Sequence, residues 1–472
     1  MATTITNKNV PKVHRKEFQF MTPAPAASAA GSFVVTDVKE SDNLALYMVS
    51  GTVGYLYHHD EDAWVTVPNP SVGGTFGAGS CGARSRWSST LTASGGSTTT
   101  AVVGVITGLC IGKTVRFLSG PNIGLERVIT GAIISPTNGA CTIQFAALPN
   151  AIANTHTMAV DTGRFWFYNA GTTGTNFKFY DPLLGTWSAA LVTTGTPATW
   201  GTDGRLVSTP GDDAFATGTA TSATTTTLVN SAKNWTASQW INYQVRIVSG
   251  TGIGQIRTIT ANTATTLTVA TWTTTPDATS VYEITGNDDY LYLLGNAAIT
   301  LYRYSISGNS WVTMSPSSTR GGAPSTGMSA NWVGKSGDAN WADETNIQDG
   351  RFIYSFRGGT SSLIDRYDIG GAAQGNWTAI TYNTGETFAL GSSYVVDGRY
   401  VFIRKENLNR FLKYSVRGNY LEPLSTNLYT DGAAVAGDKL WIHKYSENGV
   451  VKLTWLYCMR SSGTEVHRML LY

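Results

Sequence analysis

The chain has 472 residues, of which 42% are hydrophobic and 14% are charged, and its formal net charge is +2 at neutral pH. The hydrophobic content is enough to bury a core, and the small net charge excludes a general electrostatic attraction to nucleic acid. The charged fraction lies well below the roughly 25% of ordinary soluble domains, while 51 Gly, 14 Trp and 22 Tyr occur without long helical runs. This composition predicts an all-β protein.

The first 40 residues predict an extended N-terminal arm. They are polar at first and rich in proline and alanine over residues 21–27, so they cannot build a core alone. An extended segment can add to the edge of a partner's sheet, although a flexible tail is the alternative. Removing residues 1–40 is therefore expected to leave the rest of the chain folded. Four residues are the candidate contacts with a neighbouring subunit or another protein: Arg15, Lys16, Phe18 and Phe20.

An aromatic hairpin pattern recurs six times along the chain. Each copy has an aromatic-rich strand, a short gap and a second strand, and most copies end in a polar turn followed by Trp. Alternating aromatic and β-branched residues around Gly, Asn or Asp are typical of β-hairpins. Repeated sheets that close into a ring predict a β-propeller of about six blades, or seven if residues 195–215 hold extra strands. The copies occupy residues 44–64, 164–187, 290–311, 351–377, 399–424 and 439–459.

A second repeat is nested inside the first. The segments IGKTVRFLSGPNIGLERVITG at 111–131 and INYQVRIVSGTGIGQIRTITA at 241–261 align at an offset of 130, so that Arg116 meets Arg246 and Gly124 meets Gly254. Each copy contains several short strands, which predicts a small β-barrel or β-sandwich.

The spacing of tryptophans indicates that this repeated unit is inserted between blades. Trp64, Trp187 and Trp311 follow one another at 123 and 124 residues, whereas Trp377 follows Trp311 after only 66. Propeller blades usually span about 40–50 residues, so the two longer intervals hold extra material. The predicted order is arm 1–40, propeller 41–92, first insert 93–159, propeller 160–215, second insert 216–285 and propeller 286–472.

No group of residues in the sequence predicts catalysis, a cofactor or a metal ion. The four cysteines lack the close pairing of zinc ligands, and four reduced thiols fit assembly in a cytosol. His58 and His59 lie in an expected solvated turn, and neighbouring strand residues point to opposite faces. The carboxylate pairs Asp212-Asp213 and Asp288-Asp289 fall at insert junctions, where adjacent carboxylates make poor acid and base partners. We also expect no secretory signal and no membrane insertion, because no apolar run approaches the ~18–20 residues of a membrane helix.

Two resemblances to known families follow from these motifs. The strand starts Asp349-Gly350-Arg351 and Asp397-Gly398-Arg399, with the Tyr and Trp at the hairpin ends, resemble kelch-like propeller repeats. The second insert resembles a small β unit of virion proteins of tailed bacteriophages. Its marks are Ala-Thr-x-x-Thr-Thr-Thr-x-Leu at 220–228, Val-Arg-Ile-x-x-Gly-x-Gly-x-Gly-Gln-x-Arg-x-Ile at 245–259, and Pro-Asp-x-Thr-Ser-x-Tyr-x-Ile at 276–284.

The resemblance implies a non-enzymatic structural protein of a phage particle, in the tail, neck or baseplate region. Its expected partners are other copies of itself and other virion proteins, and its expected location is the virion, assembled in the host bacterial cytoplasm. One alternative is a receptor- or glycan-binding virion module, and another is a secreted glycan-active enzyme. The glycan alternative would use three residues of the second insert as exposed aromatic platforms: Trp235, Trp240 and Trp272.

Overall fold

Among the residues that the computed structural model describes, the regular secondary structure is entirely β-strand, which confirms the predicted all-β class. The structure describes residues 18–28, 31–36, 43–49, 52–70, 76, 80–108, 110–168, 177–191, 205–209, 214–294, 300–316, 318, 320, 330–332, 352–357, 362–382, 385–388, 392–397, 400–405, 410–416, 418–425, 439–447, 450–460 and 463–471.

Six antiparallel four-stranded sheets form the blades of the main body, and the first three blades lie in the N-terminal two thirds of the chain. After β1 (Phe18–Met21), blade 1 contains β2 (Phe33–Thr36), β3 (Leu44–Met48), β4 (Gly54–His58) and β5 (Ala63–Thr66). Blade 2 contains β6 (Cys81–Ser85), β14 (Arg164–Tyr168), β15 (Phe177–Asp181) and β16 (Thr186–Trp187). Blade 3 contains β17 (Arg205–Ser208), β25 (Tyr290–Leu294), β26 (Leu301–Ser305) and β27 (Ser310–Thr313).

The other three blades follow along the chain. Blade 4 contains β28 (Ala330–Trp332), β29 (Phe352–Phe356), β30 (Leu363–Asp368) and β31 (Asn376–Thr381). Blade 5 contains β32 (Ser393–Asp397), β33 (Tyr400–Lys405), β34 (Arg410–Ser415) and β35 (Tyr420–Ser425). Blade 6 contains β36 (Lys439–Glu447), β37 (Val450–Met459) and β38 (Val466–Leu470), and β1 is its fourth strand.

The first strands of the six blades close into a ring. Around it, β2 contacts β6, β6 contacts β17, and the contacts continue through β28, β32 and β36 back to β2. Radial closure covers the faces that the two end blades of an open array would expose, and it leaves only the short outer edges of the blades. The protein is a six-bladed β-propeller.

The core lies between neighbouring blades, because the central strands are buried on both faces. In β14, Phe165 and Phe167 pack against blade 1, whereas Trp166 and Tyr168 pack against blade 3. Successive strand residues point to opposite faces of a sheet, so a strand between two blades needs an unbroken apolar run. This requirement explains the dense aromatic hairpins and the low charged fraction.

The two repeated units form separate seven-stranded sheets. Insert 1 contains β7 (Leu91–Thr92), β8 (Gly95–Gly96), β9 (Thr100–Val105), β10 (Thr114–Phe117), β11 (Glu126–Ile134), β12 (Ala140–Phe145) and β13 (Thr157–Val160). Insert 2 contains β18 (Ala214–Thr219), β19 (Ser222–Thr224), β20 (Thr227–Val229), β21 (Gln244–Ser249), β22 (Ile256–Asn262), β23 (Thr266–Val269) and β24 (Val281–Thr285). The strand orders, β7-β13-β10-β11-β12-β9-β8 and β18-β24-β21-β22-β23-β20-β19, are equivalent.

Each insert lies inside a blade, which corrects the expected position between blades. Insert 1 connects the first and second strands of blade 2, and insert 2 does the same in blade 3. The tryptophan spacing measures only the length of the extra material, so it could not locate the junction within a blade. The last hairpin also differs: residues 439–459 supply the first two strands of blade 6, whereas the earlier copies supply the second to fourth strands.

Part of the segment expected to be an extended arm takes part in closing the propeller. β1 pairs with β38, with Phe18 opposite Met469 and Met21 opposite Val466, and β2 is the first strand of blade 1. The chain between them bridges the two blades: the Ala24 amide donates to the Thr464 carbonyl at 2.6 Å. This pairing joins the two ends of the sequence, so local sequence patterns could not indicate it.

Truncation should separate the role of this segment from that of the residues before it. We expect deletion of residues 1–28 to destabilise the propeller by about 3 kcal/mol, because several backbone hydrogen bonds at about 1 kcal/mol each are lost. Deletion of residues 1–17 removes none of the contacts described above, so its unfolding midpoint should equal that of the full chain. Urea unfolding checks both proteins, and equal midpoints for the two deletions would contradict the role of β1.

Candidate functional site at the junction of the inserts

The hairpin turns that follow β10 and β21 depend on glycine. In insert 1, Gly120 and Gly124 have φ angles of 78° and 74°, and in insert 2 Gly250 and Gly254 have φ angles of 78° and 88°. Residues with a Cβ rarely adopt these left-handed conformations. The conserved spacing of glycine between the two copies therefore reflects one turn geometry built twice.

These two equivalent turns pack against each other. A Cβ added to Gly124 would overlap the Cα of Gly254, and a Cβ added to Gly254 would overlap the Ile123 carbonyl oxygen. The obstacles are backbone atoms, which cannot rotate away. The inserts of neighbouring blades thus meet through the same element of each copy.

A cluster of charged side chains reinforces this contact. Arg116 of β10 and its equivalent Arg246 of β21 both bind the Glu126 carboxylate, with 2.7 Å between Arg116 Nη2 and Glu126 Oε1. Arg246 also binds Glu283 of β24, at 2.8 Å between Nη2 and Oε2. Burial lowers the pKa of Arg116, and Glu126 and Asp288 oppose that effect. Glu126 therefore links the two inserts through one shared carboxylate.

Trp87 connects the same cluster to the propeller. The guanidinium groups of Arg116 and Arg86 lie over its ring at 4.0 and 4.4 Å from the centroid, and its indole N–H donates to Asp288 Oδ2 at 2.9 Å. Trp87 immediately precedes insert 1, and Asp288 immediately follows insert 2. Because a desolvated ion cluster needs well-placed partners, these contacts hold the inserts and two blades in one arrangement.

Sequence reasoning missed the role of this cluster. Trp87 lies outside the six hairpin copies, and Asp288 was considered only as part of a carboxylate pair. The available signal was their position, since both residues flank an insert. In the structure Asp288 lies 3.9 Å from Arg86 and 3.8 Å from Arg116, so it is engaged as a structural partner. Its neighbour Asp289 accepts a hydrogen bond from the Ser305 hydroxyl at 2.6 Å.

The loop before β21 docks insert 2 on blade 4. The Asn242 side-chain amide donates to the Ile369 carbonyl at 2.9 Å, and the Gly371 amide donates to the Ser238 carbonyl at 2.9 Å. The equivalent of Asn242 in insert 1 is Gly112, which has open space around it. The loop is thus docked on blade 4 in insert 2, whereas in insert 1 it contacts the turn between β15 and β16 of blade 2, where the Thr107 and Gly108 amides donate to the Leu183 carbonyl at 2.9 and 3.0 Å.

Insert 1 also carries most of the strongly exposed apolar side chains of the described residues. Ile133 and Ile134, at the end of β11, are 57% and 60% exposed, and Val105 of β9 is similarly exposed near the same end of the sheet. At the offset of 130, insert 2 has Thr263 and Ala264 in place of the two isoleucines. We call Val105, Ile133 and Ile134 the apolar end of insert 1.

The four predicted contact residues of the N-terminal segment do not share one environment. Phe20 is 72% exposed on the edge strand β1, with its ring 4.4 Å from that of His467. The backbone of Phe18 pairs with Met469 in the same strand. Arg15 and Lys16 lie outside the described residues.

The three tryptophans of insert 2 are not exposed platforms. Trp240 and Trp272 belong to the core of the insert, with 2% and 3% exposure, and Trp235 is half-buried against that core. All three lie in loops that fold against the small sheet, where large side chains fill the interior of the insert. A sugar stacks on an open ring face, so this burial corrects the expectation of exposed rings for Trp240 and Trp272.

The expected solvated turn of His58 and His59 also differs from the structure. His59 is buried between blades 1 and 6, whereas His58 is half-buried. In the described part of the chain no three His, Cys, Asp or Glu side chains are grouped to hold a metal ion. The described residues also include no helix long and apolar enough to cross a membrane. Asp212 and Asp213 lie outside the described residues.

Comparison with known proteins adds little to this description. No protein family and no curated protein matches the sequence. A chain in the solved structure titled "Crystal Structure of Mitotic Checkpoint Complex" is similar over 100% of this chain and 99% of its own length, with 10% identity and a TM-score of 0.36. A likeness at that score carries no argument, so the propeller assignment stands on the sheet order and the closed ring.

Proposed function

We propose that the protein is a non-enzymatic structural component of a tailed phage particle, present in several copies in the tail, neck or baseplate region. In this proposal the propeller is a scaffold, and the inserts and the N-terminal segment contact other copies of the chain or other virion proteins. The protein would be located in the virion, after assembly in the host bacterial cytoplasm. The motifs at 220–228, 245–259 and 276–284 support the phage origin through their resemblance to virion units.

The observation that carries the proposal is the difference between the two inserts. Asn242 docks insert 2 on blade 4, whereas Gly112, at the equivalent position of insert 1, has open space around it. Insert 1 also has the apolar end of Val105, Ile133 and Ile134. Exposed apolar side chains at one end of a sheet favour a protein contact surface there, and the shared Glu126 joins insert 1 to insert 2.

Protein composition of purified particles tests the proposal directly. Particles are isolated by density gradient from infected cells that produce this protein, and their proteins are identified and counted by mass spectrometry. We expect this chain to copurify with the particles in several copies each. Its absence from intact particles would refute the proposal.

A charge placed on the apolar end tests which surface makes the contact. We expect Ile133→Asp to lower incorporation into particles roughly tenfold or more, because a buried interface position cannot accept an unpaired carboxylate. Thr263→Asp, at the equivalent position of insert 2, is the matched control and should be incorporated like the unchanged protein. Equal incorporation of both variants would remove insert 1 from the contact surface.

The two other functions give different results in separate assays. Specific binding of the purified chain to a glycan array would favour a receptor-binding module, although the burial of Trp240 and Trp272 gives that function no platform there. Turnover of a sugar substrate would favour a glycan-active enzyme.

A further inference from the structure

Two histidines stack in the seam that closes the propeller. His59 follows the last residue of β4 in blade 1, and His443 lies on β36 in blade 6. Their ring centroids are 4.1 Å apart, with an angle of 5° between the planes. The two residues are 4% and 9% exposed. The Trp441 indole N–H donates to His59 Nε2 at 3.1 Å, so the contact requires a neutral His59 ring.

This histidine pair lies beside both anchors of the N-terminal segment. The first anchor is Asp62, in the turn after His59, which accepts hydrogen bonds from the Thr22 amide at 2.9 Å and from the Tyr57 hydroxyl at 2.6 Å. The second anchor is Arg468 of β38, whose Nε donates to the Gln19 side chain at 3.2 Å. A displacement of the two rings would therefore disturb β1 through the turn that contains Asp62 and through Arg468.

The ionisable groups around the pair carry both signs of charge. Blade 1 contributes Tyr57, His58, Asp60, Glu61 and Asp62. Blade 6 contributes Tyr457 and Arg468, and Lys439 lies on the same side of β36 as His443 by strand alternation. Residues 18–28 include no charged side chain.

The pKa values of the pair follow from these surroundings. Burial, then the neighbouring His443, and also Arg468 hold the pKa of His59 well below its usual range. Burial and Arg468 lower the pKa of His443 to about 4. Both rings thus stay uncharged in the closed seam well below the pH at which an exposed histidine takes up a proton.

We propose that the His59–His443 stack is an acid-sensitive latch, whose protonation opens the seam between blades 6 and 1 and releases the N-terminal segment. Charging both rings would place two cations in contact beside Arg468 and would remove the acceptor for the Trp441 indole. The two repelling rings would lie between the contacts that hold the N-terminal segment, which are Arg468 with Gln19 and Asp62 with Thr22. The residues set free would be 18–28, including the exposed Phe20.

The expected pH range follows from proton linkage. Above about pH 6.5 the histidines are neutral in both the open and the closed seam, so closure is at its most stable. Below that pH the open seam binds protons that the closed seam does not, and stability is lost as the pH falls towards the lowered values. Each histidine can raise the opening constant by at most about tenfold per pH unit.

Hydrogen exchange of the full chain, followed by mass spectrometry, measures this opening. Protection of peptides covering 18–28 is compared between about pH 7 and about pH 5, after correction for the intrinsic exchange rate. We expect the unchanged protein to lose protection by up to about a hundredfold per pH unit, because two histidines contribute. His443→Phe should reduce that slope to at most about tenfold, and His59→Gln with His443→Phe should abolish it. Peptides from residues 244–269, which contain no histidine, are the internal reference.

His58→Gln is the matched control, since it removes the adjacent histidine and leaves the stack intact; its pH response should equal that of the unchanged protein. The pH dependence of protection in the unchanged protein tests the proposal even if the variants fail to fold. Full protection of residues 18–28 down to about pH 4.5 would overturn the proposal. An undiminished response in the double variant would also overturn it and would point to His467, which is buried against Phe20.

Discussion

Replacing Gly254 with alanine is expected to destabilise the junction of the inserts by about 3 kcal/mol. About 1 kcal/mol comes from a Cβ at a φ angle of 88°, and about 2 kcal/mol more comes from forcing a methyl group against the backbone of the facing turn. Alanine at Gly254 would overlap the Ile123 carbonyl oxygen, and no side-chain rotation relieves that overlap. Urea unfolding gives the total cost, and hydrogen exchange in residues 114–128 locates it.

Two glycines of insert 1 separate the conformational cost of a Cβ from the cost of its overlap with the facing turn. Gly112 has a φ angle of 84° but open space, and Gly104 has neither a left-handed backbone nor a close neighbour. Gly112→Ala should therefore show only the conformational cost of about 1 kcal/mol, and Gly104→Ala should be close to neutral. If Gly254→Ala costs no more than Gly112→Ala, the two turns do not pack closely in solution.

The sequence was sufficient for the repeated features of the fold. The aromatic runs such as 164–168 predicted the strands of hairpins, and the six copies predicted about six blades. The likeness of Arg116 to Arg246 and of Gly124 to Gly254 showed that one unit occurs twice. These features could be predicted because each is local, and because the copies of a repeat can be compared with one another within one sequence.

Features that depend on contacts between residues far apart in the sequence could not be predicted from it. β1 pairs with β38 across almost the whole chain, and its four residues carry no flanking turn signal. His59 follows a polar pattern typical of a solvated turn, yet blade 6 covers it. The cluster of Trp87, Glu126 and Asp288 forms only after two inserts and two blades have come together. A pattern within one strand or hairpin carries no information about such partners.

Asp365 gives the second large expected effect, because it lies at the centre of a buried ion cluster in blade 4. Its Oδ2 accepts from Arg320 Nε at 2.8 Å, and its Oδ1 accepts from Arg357 Nη2 at 2.6 Å. The Asp365 and Arg320 side chains are 1% and 0% exposed. Asp365→Ala would leave two guanidinium groups facing each other without a carboxylate. We expect a loss of about 3–5 kcal/mol in the free energy of unfolding.

The contrast with a surface pair makes this prediction specific to burial. In the neighbouring blade, Lys413 Nζ lies 2.6 Å from Glu422 Oε1, but the side chains are 23% and 40% exposed. Glu422→Ala should therefore cost only about 0–1 kcal/mol, because water already screens that pair. Arg320→Ala combined with Asp365→Ala should cost less than the sum of the single changes, since the double variant leaves fewer unpaired charges. Unfolding in urea compares the three single variants and the double variant with the unchanged protein. A cost for Asp365→Ala as small as that for Glu422→Ala would show that the cluster does not hold blade 4 together.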